Sequence, residues 1–349
     1  MDNPAADSIH FQIRSDNGRQ RAMRRHIFYG ICLTLLWSGL SEAVTRFALP
    51  VAAGVWYPAD KAALESALKE CMKDARPPAG ERMAACIVPH APYQTSGAIA
   101  GAALGMLQPG QYDRVIVLGA SHRSSFRGCS IPSVEFYQTP LGSIPLDGQS
   151  IRQLDLSPLI EVRSVNYQAD SSRVQVHEIE YSIEATLPFL QERLGTFRLI
   201  PILVGDFLDY QKKTDVDAIE AVAKSLHPLM DDRTLLVVSS DFTHYGNNFS
   251  YRPFKENIIE SIEALDKEAF RLILTRDFRG FVRYLDDTRN PICAKNAIAI
   301  LLRIVPKSAT GRLLAHDISA RKTGDTRTSI SFASLAFFVP DPAVEEKPE

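Results

Sequence analysis

The chain has 349 residues, 45% hydrophobic and 23% charged, which is the balance of a soluble globular protein with ample material for a core. Its 39 basic and 41 acidic residues leave a formal net charge of −2, so there is no electrostatic footprint for nucleic acid. The five cysteines (Cys32, Cys71, Cys86, Cys129 and Cys293) are odd in number, scattered and without a CxxC pair. That excludes a disulfide framework and a thiolate zinc knuckle.

In chain order, residues 18–26 (GRQRAMRRH) are basic, 27-IFYGICLTLLWSGL-40 is apolar and 41-SEA-43 is a small-x-small site. This is the order of a secretory signal peptide, with Met23 an alternative start. The apolar run is shorter than the ~20 residues that cross a bilayer. A leader over 1–43 is therefore expected ahead of one domain over 44–340. Export, periplasmic or membrane-anchored, is favoured over a cytoplasmic location, with membrane association through 27–40 if the leader stays uncleaved. The charged, proline-rich tail 341–349 is expected to be disordered.

Helical spacing over 61–75, with Asp60 as N-cap, precedes a Pro/Gly loop at 77–80. Strands are expected over 84–88, 113–119, 198–205 and 234–242. Helices are expected from about Ser96, over 178–194 with Pro188 kinking or breaking it, and over 213–228 and 254–275. A further helix over 291–305 has Pro291 in its first turn. A less regular section with short β-like pieces occupies 126–150, residues 155–176 read as a strand or two with a polar loop, and two strands, 312–319 and 329–339, close the pattern. Near-continuous apolar strands alternating with helices predict an α/β fold: a single domain with a mostly parallel central sheet flanked by helices.

In such sheets ligands bind outside the carboxyl ends of the strands. Three of these ends carry a histidine: His90 in PHAPY, His122 in GASHR and His244 in 239-SSDFTHYG-246. One histidine in such a place is more often a hydrogen-bonded structural residue. Three together point to a shared polar site, and metal ligation is the commonest reason for neutral imidazoles to converge. Asp241 is a carboxylate ligand, an orienting group, or a cap for its turn. Ser240 and Thr243 hydrogen-bond substrate or cap the loop, and Tyr93 and Tyr245 are proton donors or aromatic walls. Gly119 and Ala120 permit close backbone approach before His122. With no phosphate loop, nucleotide fingerprint or nucleophile elbow, the substrate class stays open, an unknown small molecule.

The blocks VAAGVWYPAD, VPHAPYQTSG, VIVLGASHRSS, YQTPLGSIPLD, EYSIEATLPFLQ, ILVGDF, LLVVSSDFTHYG and NPICAKNAI follow one another over about 46–305. In content and order they resemble the Memo family, which includes the bacterial AmmeMemoRadiSam system protein B. The resemblance implies a fold like that of the class III extradiol non-haem iron dioxygenases, which hold iron through two histidines and a carboxylate. It also implies that His90 and His122 are metal ligands, and that radical-SAM and AMMECR1-like proteins are functional companions. Three positions depart from the family pattern: Tyr181 replaces a histidine, Pro92 a glycine, and Thr243 a cysteine of the animal members. His177 would share a face with Tyr181 on a continuous helix and so substitute for the missing histidine, while the Tyr181 phenol would serve as an acid or a weak ligand. Cys293, in the NPIC block, either lines the pocket or is a buried structural thiol, and the second is the expected role.

Three readings follow. The first is a metal-dependent redox enzyme with iron or copper on His90, His122 and His244, and with His244, Asp241, Tyr181 and His177 as catalytic groups. The second is a zinc hydrolase with His244 or Asp241 as base. The third is a non-enzymatic adaptor on a dioxygenase-derived scaffold.

Overall fold

The computed structural model describes residues 45–167 and 172–341, so the leader and the tail beyond Asp341 lie outside the described residues. The chain enters through β1 (Phe47–Ala48) and reaches α1 (Lys61–Met72), where the Asp60 carboxylate accepts the Ala63 N–H and caps the first turn as expected. Then come β2 (Glu81–Val88), α2 (Tyr93–Leu104), β3 (Arg114–Ala120), β4 (Cys129–Ile131), β5 (Phe136–Thr139), β6 (Gly142–Pro145) and α3 (Gly148–Leu154). After β7 (Ile160–Val162), β8 (Ser164–Tyr167) and β9 (Ser172–Gln175) the chain turns into α4 (Leu187–Leu194) and β10 (Arg198–Val204). The second half runs α5 (Val216–Leu226), β11 (Thr234–Ser239), β12 (His244–Gly246), α6 (Ile258–Leu274), α7 (Phe278–Thr288), α8 (Lys295–Ile304), β13 (Thr310–Ile318), α9 (Ser319–Thr323) and β14 (Thr328–Pro340).

The central sheet has nine strands, with order β12-β14-β2-β11-β3-β10-β4-β7 and β13 paired to β14. It is parallel at its heart, across β2, β11, β3 and β10, and antiparallel where β14 meets β2 and where β4 meets β10. The parallel heart is apolar on both faces because helices cover both, and Ile87, Val117, Ile202 and Val237 are fully buried. β13 and β14 are antiparallel to each other because the short link between them is too brief for a crossover.

Register aligns the strand tips. Val88 pairs with Ser239, Ser239 with Gly119, and Gly119 with Leu203. Whatever follows β2, β3 and β11 by two or three residues therefore emerges in one place. The tip of β3 is also pressed against the 182–183 turn: a Cβ at Gly119 would lie 2.5 Å from Ser182 Oγ and 2.7 Å from Ile183 Cγ1. Gly119→Ala is expected to cost about 1–3 kcal/mol by overpacking. The denaturation midpoint in urea checks this, and an unchanged midpoint would contradict the close packing.

Three elements differ from the sequence reading. No continuous helix spans 178–194. Short 3-10 turns occupy Val176–Glu178 and Glu184–Thr186, and α4 begins only at Leu187, with Pro188 in its first turn. The cause is Glu180, whose carboxylate takes the Tyr181 and Ser182 N–H groups and so bends the chain out of a helix. At 291–294 the Cys293 N–H goes to Asp241 O, so α8 starts at Lys295 rather than Pro291. Sequence reading missed α7, although Asp277 caps it and Phe278, Phe281, Val282 and Leu285 give it an apolar stripe.

Candidate metal centre

His90 lies two residues past β2 and is 2% exposed. Its Nδ1 is 3.0 Å from Ser239 Oγ, and the Ser239 hydroxyl donates to Ser182 O at 2.5 Å. The serine proton is thus committed, so Ser239 accepts from a protonated His90 Nδ1, and Nε2 keeps its lone pair. Burial, with the neighbouring His122 adding to it, pushes the His90 pKa well below 6.5, so the ring is neutral at neutral pH.

His122 is oriented by a carboxylate. Its Nδ1 lies 3.0 Å from Glu180 Oε1, while Glu180 Oε2 accepts the backbone N–H groups of His122 and Arg123. An ionised carboxylate only accepts, so Nδ1 again carries the proton and Nε2 faces the pocket, 3.3 Å from Cys293 Sγ. His244, at the start of β12, follows the same rule. Its Nδ1 meets the carbonyls of Phe242 (2.8 Å) and Pro291 (3.0 Å), and its Nε2 lies 3.6 Å from the same sulfur.

Cys293 therefore sits among the imidazoles, which corrects the expectation of a purely structural thiol. The candidate donor atoms of His90, His122 and Cys293 lie within 4.8 Å of one another, as do those of Asp241, His244 and Cys293. Burial, with the carboxylate of Asp241 adding to it, pushes the thiol well above its ordinary pKa. Asp241 is buried too. Its Oδ1 accepts the His90 N–H at 3.0 Å, its Oδ2 stands 3.9 Å from His90 Nε2, and burial raises its carboxyl.

The remaining sequence candidates divide. Tyr181 stacks on His122 at 5.0 Å and 7°, with Trp56 at 4.1 Å on the tyrosine, so it is an aromatic wall of the pocket. His177 does not replace the family histidine. It is buried, its Nε2 donates to Ser130 O at 2.9 Å and its Nδ1 accepts from Tyr137 Oη at 2.6 Å. Both nitrogens are used in bridging β4 and β5, because the helix that would have turned it towards Tyr181 does not form. Thr243 donates to Asp266, away from the histidines, and Ser240 accepts the Ala294 N–H and so caps the 291–294 turn. Tyr93 and Tyr245 donate to the carbonyls of Ala185 and Phe254, in structural roles.

Sequence reading missed both acids of the EYSIE block. Glu180 holds His122, and Glu184 gathers the Val51 N–H, the Ala52 N–H and the Tyr57 hydroxyl, which fixes the segment that places Trp56 over Tyr181. Two acids in an otherwise apolar stretch were the available signal. The centre opens into a cleft of about 280 Å³ bordered by His122 and Cys293. A larger cavity of about 660 Å³ lies elsewhere, between α1, α2 and β13, and includes none of the centre's residues.

The Memo-like protein family matches residues 49–336. The memo-1 homolog of Caenorhabditis elegans is 31% identical over 300 residues, covering 82% of this chain and 81% of that protein. Human MEMO1 is 32% identical over 264 residues, covering 72% and 82% respectively. Among solved structures, an uncharacterised Escherichia coli protein aligns with 73% of this chain and 99% of its own, at 14% identity and a TM-score of 0.43. With the family match spanning residues 49–336 and relatives more than 30% identical over most of the chain, the protein belongs to the Memo family.

Proposed function

We propose that the pocket binds one redox-active transition-metal ion, copper or iron, and that the protein is a metal-dependent oxidoreductase acting on a small molecule. One observation carries the reading. Three imidazoles, each with its Nδ1–H spent on a fixed acceptor, point Nε2 lone pairs at a space that also holds the Cys293 thiol. Nothing in ordinary core packing calls for three such lone pairs to face one another.

The donors fit such an ion. Imidazole suits copper, iron and zinc alike, and a thiolate softens the set relative to two histidines and a carboxylate. When bound, the ion would supply one-electron chemistry. The chain's own residues do the rest. Glu180 and Ser239 lock the tautomers, Tyr181 and Trp56 wall off water on one side, and Asp241, its carboxyl raised by burial, is the group placed to hold a proton beside His90.

The thiol sets a pH dependence. Because Cys293 is protonated through neutral pH, metal binding must expel its proton, so affinity rises with pH. An increase of about tenfold per pH unit is expected from about pH 6 to about pH 8 by chelator competition, and Cys293→Ser is expected to flatten it. Electron paramagnetic resonance of the loaded protein tests the redox reading. A signal that appears and disappears reversibly on one-electron oxidation and reduction supports it. A site that retains only zinc contradicts it and favours metal-assisted hydrolysis.

A further inference from the structure

The cleft beside the centre carries charge that the fold leaves unused. Its walls are the 121–125 turn after β3, Gly205–Asp206 after β10, and the residues leading into α8. Arg123 and Lys295 both line it, and among the described residues neither side chain forms an ion pair. The Arg123 guanidinium has only the Tyr181 ring, 5.5 Å away, and Lys295 is half-buried. Asp206 is the one carboxylate in the lining, and it accepts the Ser125 hydroxyl at 3.3 Å. Among the side chains that line this space of about 280 Å³, two cations face one anion, and the Glu180 carboxylate behind the 122–123 backbone is already held by His122 and four backbone N–H groups.

We infer that this cleft is the subsite for the carboxylate of a small organic acid, held by Arg123 and Lys295 with the rest of the molecule lying against Cys293 and His122. It rests on the reading of that centre as the reacting one. The volume is just below the usual range of ligand pockets, about 300 to 1,000 Å³, and so suits a small molecule. The charge selects a monoanion, since a phosphate dianion would meet Asp206 with charge left over. The planar fork of Arg123 suits a carboxylate, and the Ser124 hydroxyl, which makes no hydrogen bond among the described residues, adds a donor at the rim.

Cys293 provides the test, because it reports on the cleft without any metal. Metal-free protein is alkylated with iodoacetate or with its neutral isostere iodoacetamide, and each cysteine is followed by peptide mass spectrometry. The sulfur–carbon bond forms as iodide leaves and the thiol proton goes to solvent. Cys71, beside Glu70 in the other cavity, is the internal reference.

The iodoacetate-to-iodoacetamide rate ratio is expected to be about tenfold or more higher at Cys293 than at Cys71, and to fall to the Cys71 level in Arg123→Gln/Lys295→Gln. Equal ratios at the two cysteines, or a preference that survives in the double variant, overturn the subsite. Benzoate is expected to slow iodoacetamide at Cys293 where inorganic phosphate at the same concentration does not. Protection by phosphate alone, or by neither, overturns the carboxylate assignment. Metal content is read in parallel. Its loss in the double variant would make Arg123 and Lys295 supports of the centre and overturn the subsite. Failure of the unaltered protein to bind metal counts against the oxidoreductase reading alone, because the alkylation ratio remains readable.

Discussion

Replacing His90 and His122 together with alanine is expected to reduce bound metal from about one ion per chain to background while the fold persists. The two residues supply the Nε2 atoms nearest to Cys293 and Asp241, so the remaining His244, Cys293 and Asp241 are left with one imidazole. Persistence of the fold follows from what the imidazoles leave behind. Ser239 keeps its bond to Ser182 O and loses only a donor to its lone pair, worth about 1 kcal/mol. Glu180 keeps four backbone N–H groups, from His122, Arg123, Tyr181 and Ser182. Elemental mass spectrometry and far-ultraviolet circular dichroism together check the result. Stoichiometric metal in the folded double variant would remove these histidines from the centre.

Glu180→Ala is expected to be the most damaging single change near the pocket, at about 3–5 kcal/mol, because it strands the His122 ring proton and buried backbone donors at once. Metal affinity should fall by about 10- to 100-fold as well, since His122 loses the partner that fixes its tautomer. Burial pushes the Glu180 carboxyl up, but the hydrogen bonds it accepts from the His122 ring and from backbone N–H groups outweigh that and hold it below the ordinary range. A depressed carboxyl contributes stability that is fully present above its unfolded value and is lost as pH falls through its folded one. The stability gap between wild type and Glu180→Gln should therefore be constant near neutrality and close below about pH 4. A gap that widens on acidification would show that the carboxylate is not the stabilising species.

How much of this was legible in the sequence depended on how local the cause was. His90, His122 and His244 could be found because each follows an apolar strand by a few residues, and parallel register brings such tips level. Cys293 was marked only by its place in the NPIC block, because it reaches the pocket from an irregular turn ahead of α8, 171 residues from His122, and no strand or helix periodicity points it there. His177 misled for the opposite reason. Residues 178–194 have helical periodicity, but Glu180 binds the N–H groups of Tyr181 and Ser182 while it reaches across to His122, so no helix forms there and His177 meets Tyr137 instead. The heart of the sheet was readable from continuous apolar runs. The pairing of β14 with β2 was not, because it joins strands far apart in sequence, Leu335 with Ile87.

The most direct test of the centre is X-ray absorption at the metal edge of protein loaded with copper or iron, beside Cys293→Ser. One sulfur scatterer together with imidazole nitrogens, the sulfur vanishing in the variant, is the result expected from three Nε2 atoms gathered around the thiol. A shell of oxygen and nitrogen alone, identical in both proteins, would contradict it.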